Sequence, residues 1–207
     1  RMDKMQVMFG AEDKNLLATQ LKYLPDEKLW RLYAQTGLDE IQVFYSLNDE
    51  SPSEHSFADS LSISSPENIN LVPMRKGKQA LAVLQYIIMD HKALGKKVNF
   101  KEAYHENYKK VGDYGLTDGI KGSLNFGDGT WMGWSGNNID VVVDMDSSVV
   151  IQYLQLNCLQ QTQSWILLPK KVEFFISDDG ENWKQLTTQT HNIPDEDFKP
   201  QVHEFSY

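Results

Sequence analysis

Two sets of residues in this 207-residue chain could do chemistry. Asp118 lies in Leu116-Thr117-Asp118-Gly119-Ile120, and Asp128 lies in Gly127-Asp128-Gly129-Thr130. Hard cations such as calcium take several oxygens, backbone carbonyls included, and glycine-rich turns can present them. The same aspartates can instead hydrogen-bond their own turns. The second set is tryptophan beside loops: Trp131, Trp134, Trp165 and Trp183. A flat indole suits the C–H face of a sugar ring, with nearby amides and carboxylates for the hydroxyls. The competing reading is that tryptophan in a β-sandwich is core. Trp183, in the Ser-Asp-Asp-Gly-Glu-Asn-Trp hairpin, is assigned to core; the other three stay open between the two readings.

Frames for covalent or hydrolytic catalysis are missing from the sequence. There is no G-x-S-x-G elbow and no H-E-x-x-H zinc motif. The chain has no G-x-x-x-x-G-K-[ST] phosphate loop, and Gly127-Asp128-Gly129 lacks a following lysine. His55, His91, His105, His191 and His203 are scattered through polar segments and read as solvated surface residues. Asp195-Glu196-Asp197 reads as a solvated acidic turn, and no carboxylate pair for glycoside hydrolysis is identifiable. No residue is expected to be catalytic. Cys158 is the single cysteine, which excludes a disulfide framework and a multi-thiolate zinc site. It reads as a small buried hydrophobe.

The elements that would position these residues are strands. Residues 29–34 and 41–47 are rich in aromatic and β-branched side chains, with a turn at Thr36-Gly37. Ile41, Val43, Tyr45 and Leu47 share one face, the period of a half-buried strand. Residues 69–74 and 80–90 follow, joined by a charged turn around Gly77. Pro73 demotes the first of these to an edge strand or a bulge. For 80–89 helix is the alternative, since Leu81, Leu84 and Ile88 fit a helical stripe, but Val83, Tyr86, Ile87 and Ile88 favour strand. The Ser-rich stretch 50–65 reads as a long polar connection. From 111 to 138 the chain is crowded with glycine, too dense for helix, because each interior glycine costs roughly 1 kcal/mol relative to alanine. Strands are expected again at 139–145, 149–158, 165–168, 171–177 and 183–188, with Asp178-Asp179-Gly180 as a hairpin turn. Short strands between turns, with almost no helix, predict an all-β sandwich architecture.

Composition narrows the function classes. Twenty Lys and Arg against 29 Asp and Glu give a formal net charge of −9. That argues against nucleic-acid binding, which calls for a basic face. No apolar run approaches the roughly 20 residues that span a bilayer. The Arg1-Met2-Asp3-Lys4 terminus carries no apolar signal-peptide core, which fits a cytoplasmic protein or an internal piece of a longer exported chain.

The glycine-rich region carries a resemblance. Residues 114–123 (Tyr-Gly-Leu-Thr-Asp-Gly-Ile-Lys-Gly-Ser) and 125–134 (Asn-Phe-Gly-Asp-Gly-Thr-Trp-Met-Gly-Trp) resemble the opening of a coagulation factor V/VIII type C, or discoidin-like, domain. More narrowly, they resemble the version appended to bacterial family-20 β-N-acetylhexosaminidases of the chitobiase-like kind. Asp140-Val141-Val142-Val143-Asp144-Met145, Ser164-Trp165-Ile166-Leu167-Leu168-Pro169 and Ser177-Asp178-Asp179-Gly180 continue the pattern in order. Upstream, Ile41-Gln42-Val43-Phe44-Tyr45-Ser46-Leu47-Asn48-Asp49-Glu50-Ser51-Pro52 is similar to the small β-sandwich that often precedes this module. There the usual Asp-Gly is replaced by Asn48-Asp49.

The resemblance implies an immunoglobulin/fibronectin-like β-sandwich over residues 1–94. An eight-stranded discoidin-like jelly roll follows over 95–207; the family's closing strands are expected after Phe205-Ser206-Tyr207, so either those strands are missing here or the fold closes differently. It further implies carbohydrate binding of a galactose or N-acetylhexosamine type and a structural calcium. Asp118 matches the family's carboxylate ligand, Thr130 lies near its Thr ligand, and Asp128 is the second candidate ligand. Sugar contacts are assigned to Trp131, Trp134 and Trp165, with Asn125 as a hydrogen-bonding neighbour. The implied setting is an exported glycoside hydrolase, periplasmic or at the cell surface, whose catalytic domain is the chain's partner. The alternative is a structural spacer or protein-interaction module with no sugar affinity.

Overall fold

A computed structural model gives the structure of residues 17–36, 40–48, 50 and 55–207. Gly37, Asp49, Ser51, Pro52 and the Arg1-Met2-Asp3-Lys4 terminus, on which parts of the reading above fall, lie outside the described residues.

Eight strands make two antiparallel sheets in the first part of the chain. They are β1 (Ala18–Leu24), β2 (Leu29–Gln35), β3 (Ile41–Leu47), β4 (His55–Ser56), β5 (Ser60–Ile63), β6 (Asn68–Arg75), β7 (Lys78–Gln79) and β8 (Leu84–Ile87). One sheet has the order β1-β2-β5. The other runs β4-β3-β6-β7, with β8 also pairing to β6. Strands from early and late in the chain therefore interleave, as in immunoglobulin- and fibronectin-like sandwiches. Alternation creates the inner faces. In β2, Trp30, Leu32 and Ala34 are buried while Tyr33 and Gln35 face out; from the other sheet Val43, Ile69, Leu71 and Tyr86 join the same core. Full burial of each large aliphatic side chain contributes about 1.5–3 kcal/mol.

Two expectations are corrected here. The stretch 50–65 is not only a connection, since β4 and β5 lie in it. Ser60-Leu61-Ser62-Ile63 alternates polar and apolar residues, and Ile63 enters the core although serine dominates the composition. Pro73 is not on an edge strand, because β6 has partners on both sides. Its carbonyl accepts from the Ala80 N–H at 2.8 Å, in the gap between the end of β7 and the start of β8. The backbone edge of Pro73 thus faces an interrupted partner, where a missing N–H costs little. Between β6 and β7, Lys76 and Gly77 both have positive φ (50° and 75°), the geometry of a two-residue primed hairpin turn.

By its contacts the chain groups into two compact units, residues 1–121 with 127–143, and residues 122–126 with 144–207. This grouping cuts the chain at other places than 94/95. In the first unit β9 (Val98–Phe100) pairs with β10 (Val141–Val143). The glycine-rich segment is irregular as expected, with a short 3₁₀ turn at Gly112–Tyr114 and another just ahead of it at Glu106–Tyr108. Gly119 shows why glycine is needed: its φ is +74°, and a Cβ there would lie 2.9 Å from both Leu94 Cδ1 and the Met89 carbonyl.

In the second unit β11 (Gln155–Gln160) pairs with β14 (Gln201–Ser206), and β12 (Lys171–Ile176) pairs with β13 (Lys184–Thr190). The strand expected at 149–158 begins only at Gln155, and no strand forms at 165–168. Leu159, Leu168 and Phe205 are buried. Cys158 lies on β11, and burial pushes its thiol up to about 12, so it carries essentially no thiolate at neutral pH. The fold is all-β; among the described residues the only helical turns are 3₁₀. The eight-stranded jelly roll stays an expectation from the resemblance.

Candidate functional site

The loop around Asp118 is built on a buried ion pair. Lys110 Nζ lies 3.0 Å from Asp118 Oδ1, with the two side chains 7% and 3% exposed. Lys110 also donates to the Gly115 carbonyl at 3.0 Å and the Ile120 carbonyl at 3.5 Å. Asp118 Oδ1 closes its own turn by accepting from the Ile120 N–H at 2.9 Å. The Asp118 carbonyl accepts from Trp30 Nε1–H at 2.6 Å, which ties this loop to β2. Burial pushes the Asp118 carboxyl above its ordinary value, against the pull of Lys110 and the Ile120 amide. A carboxylate and two carbonyls do converge, then, but on an ammonium.

Asp128 is turned inward on its own loop. Its Oδ1 accepts from the Thr130 N–H at 2.9 Å and the Thr130 hydroxyl at 2.6 Å, and Thr130 is buried. This is an Asx turn. Among the described residues no three His, Cys, Asp or Glu side chains are grouped to hold a metal. Of the atoms expected to hold calcium, Asp118 Oδ1 is engaged by Lys110, and Asp128 Oδ1 and the Thr130 hydroxyl are engaged by each other, an arrangement that does not fit that ion.

The four residues assigned to sugar divide between the units. Trp131 and Trp134 belong to the first, Asn125 and Trp165 to the second. Trp131 and Trp134 are half-buried. The loop carrying Trp134 is clipped to the 3₁₀ turn Glu106–Tyr108: His105 N–H donates to the Gly133 carbonyl, and Gly133 N–H to the Tyr108 carbonyl. Trp134 Nε1–H donates to the Glu102 carbonyl at 3.2 Å, and the ring lies 5.8 Å from Phe100, which meets Tyr104 edge-on at 5.2 Å. Phe100 and Tyr104 line an open groove of about 490 Å³ together with Asn99, Lys101, Glu106 and Asp113. Phe100 and Tyr104 lie ahead of the glycine-rich segment, and no motif in the sequence marks them.

Trp165 is presented differently. It is 91% exposed and has a left-handed φ of 57°, at the end of the 3₁₀ turn Thr162–Ser164. Gln161 and Ile166 exchange backbone hydrogen bonds at 2.9 and 3.3 Å, so the indole tops a very tight hairpin. That turn, rather than a strand, is what 165–168 begins with. The base of the hairpin is bolted to the acidic turn. Gln160 Nε2 donates to the Pro194 and Asp197 carbonyls at 2.8 and 3.2 Å, and the Thr162 hydroxyl meets the Asp195 and Asp197 carbonyls at 2.7 and 3.0 Å. Lys170 pairs with Asp195 at 2.6 Å. Asp195-Glu196-Asp197 is thus an anchor as well as a solvated turn. Asn125 is exposed, with its backbone N–H on Ser123 Oγ at 2.8 Å.

Trp183 is not core. It is 45% exposed and its Nε1–H caps the Gly180 carbonyl at 3.1 Å, because the hairpin turn folds back under the ring. Nor are the histidines all isolated on the surface. His191 and His203 lie 5.6 Å apart beside Phe205, with His191 Nε2 buried. Burial also lowers the His91 pKa, against Asp90. His203 lies on β14 and His191 just past the end of β13, so no sequence spacing announces their meeting.

No family model matches the chain, and no curated protein matches it. The likeness to the factor V/VIII type C family therefore rests on the ordered motifs quoted above. No helix among the described residues is long and apolar enough to cross a membrane.

Proposed function

We propose that this chain is a non-catalytic, carbohydrate-binding accessory region of an exported glycoside hydrolase, a β-N-acetylhexosaminidase of the chitobiase-like kind. Its parent's catalytic domain would be its partner. The observation that carries the reading is Trp165, an indole held in solvent by a hairpin whose base is pinned through Gln160 and Thr162. Exposing so large an apolar surface forgoes the gain of burying it. A hairpin already fixed in place leaves only the ring's own rotation to be lost when a sugar stacks on it. The ordered motifs around Asp118, Asp128 and Asp179 support the same reading.

A second reading, the structural spacer, is favoured by Trp134, whose indole is engaged by the Glu102 carbonyl and by Phe100. Isothermal titration of the full chain with galactose, N-acetylglucosamine and its β-linked oligomers separates the two. Sugar binding predicts saturable heats that fall about tenfold in affinity, roughly 1.4 kcal/mol, in Trp165→Ala. Flat heats at millimolar sugar favour the spacer.

A further inference from the structure

We propose that Lys110 is a cation built into the chain, whose ammonium takes the oxygen set that a hard metal ion would need. The loop from Lys110 to Lys121 then folds and keeps its shape without calcium. An ammonium has three N–H donors. Three oxygens face this one: the Gly115 carbonyl, Asp118 Oδ1 and the Ile120 carbonyl. Both partners of the ion pair are removed from water, so neither charge is tolerable without the other. Calcium takes its oxygens at about 2.3–2.6 Å, and an ion drawing in these three would meet the Nζ already hydrogen-bonded to them. Like charges cannot share that space.

The surroundings give the lysine a fixed frame. Lys110 itself has φ 45°, a left-handed backbone that is uncommon outside glycine. Gly112 N–H donates to the Lys109 carbonyl, Gly115 N–H to the Gly112 carbonyl, and Gly95 N–H to the Thr117 carbonyl. The Thr117 hydroxyl reaches the Lys96 carbonyl. Ile120 reaches the sandwich core, and Trp30 holds the Asp118 carbonyl. One ammonium thus organises a turn that docks on β2. The assignment is independent of sugar binding and stands or falls separately from it.

The test titrates this 207-residue chain with terbium, exciting tryptophan and reading sensitised emission, in parallel with Asp118→Asn. Expected is no saturable emission that depends on Asp118, and one melting midpoint in EDTA and in millimolar calcium. Emission that survives Asp118→Asn comes from elsewhere on the chain and agrees with the assignment. Saturable emission that calcium displaces and Asp118→Asn abolishes overturns it. Acetylation of the native chain, read by mass spectrometry, gives a second measurement without a variant. Lys110 stays unmodified under conditions in which Lys101 and Lys109 react, and modification of Lys110 alongside them contradicts the inference. Finally, Lys110→Met is expected to melt below the wild type, and an unchanged midpoint counts against the buried pair.

Discussion

The sandwich of β1–β8 and the second unit hold themselves together in different ways. The sandwich has a broad apolar interior in which Leu32, Ile69 and Leu71 have no exposed surface and Trp30 is 2% exposed. The second unit buries a shorter set, Leu159, Leu168 and Phe205, beside a fully buried glutamine, Gln160. It makes up the difference with side chains bonded to loop backbone: Gln160 and Thr162 on residues 194–197, and Asp179 on its own hairpin. Apolar burial is non-directional and yields a bulk scaffold. Hydrogen bonds to loops are directional and can fix one turn in one place, which is what a displayed indole requires.

Large-to-small substitutions break this comparison most severely. Leu71→Ala is expected to cost about 2–5 kcal/mol and Phe205→Ala about 3–5 kcal/mol. Each is read by denaturant unfolding of the full chain. If apolar burial concentrates as described, Leu71→Ala disturbs the near-ultraviolet signal of Trp30, and Phe205→Ala leaves it intact. Equal disturbance of both regions by either variant would show that the two do not stabilise themselves separately.

A smaller effect comes from acid. Asp179 is held well below the usual carboxylate range by the Asn182 side chain, the Asn182 and Glu181 amides and the Ser177 hydroxyl. A carboxyl whose folded pKa lies below its unfolded value contributes stability above the unfolded pKa. That contribution fades as pH falls through the folded one. The Asp179 contribution is therefore intact above about pH 4 and declines in stronger acid. Carboxyl NMR titration should show Asp179 titrating below the other carboxylates, and Asp179→Ala should flatten the acid limb of the stability curve. Asp118, pushed in the other direction by burial, has no such acid limb. Its pair is challenged by removing Lys110.

Much of the scaffold is legible in the sequence because alternation is a local signal. β2, β3 and β12 show it, and the Lys76-Gly77 and Asp178-Asp179-Gly180 turns announce themselves by glycine. β1, β5 and β14 lie outside the expected strands. β5 and β14 carry only two large apolar residues each, Leu61 with Ile63 and Val202 with Phe205, too few to stand out from the polar residues around them. The sites were less legible for a physical reason. Whether an indole is core or surface depends on one backbone angle, as at Trp165, and on a turn folding under the ring, as at Trp183. A lysine in a polar stretch reads as solvated, and nothing in its spacing reveals that Gly115 and Ile120 carbonyls will converge on it.

The central claim, that the exposed indole on the second unit meets sugar, is tested most directly by NMR of the tryptophan side chains. The five indole Nε1–H signals are assigned by single substitutions and followed as an N-acetylglucosamine oligomer is added. A saturable shift of the Trp165 signal, with the buried Trp30 signal unmoved, is the predicted result. A Trp165 signal that stays in place at saturating sugar would contradict the account.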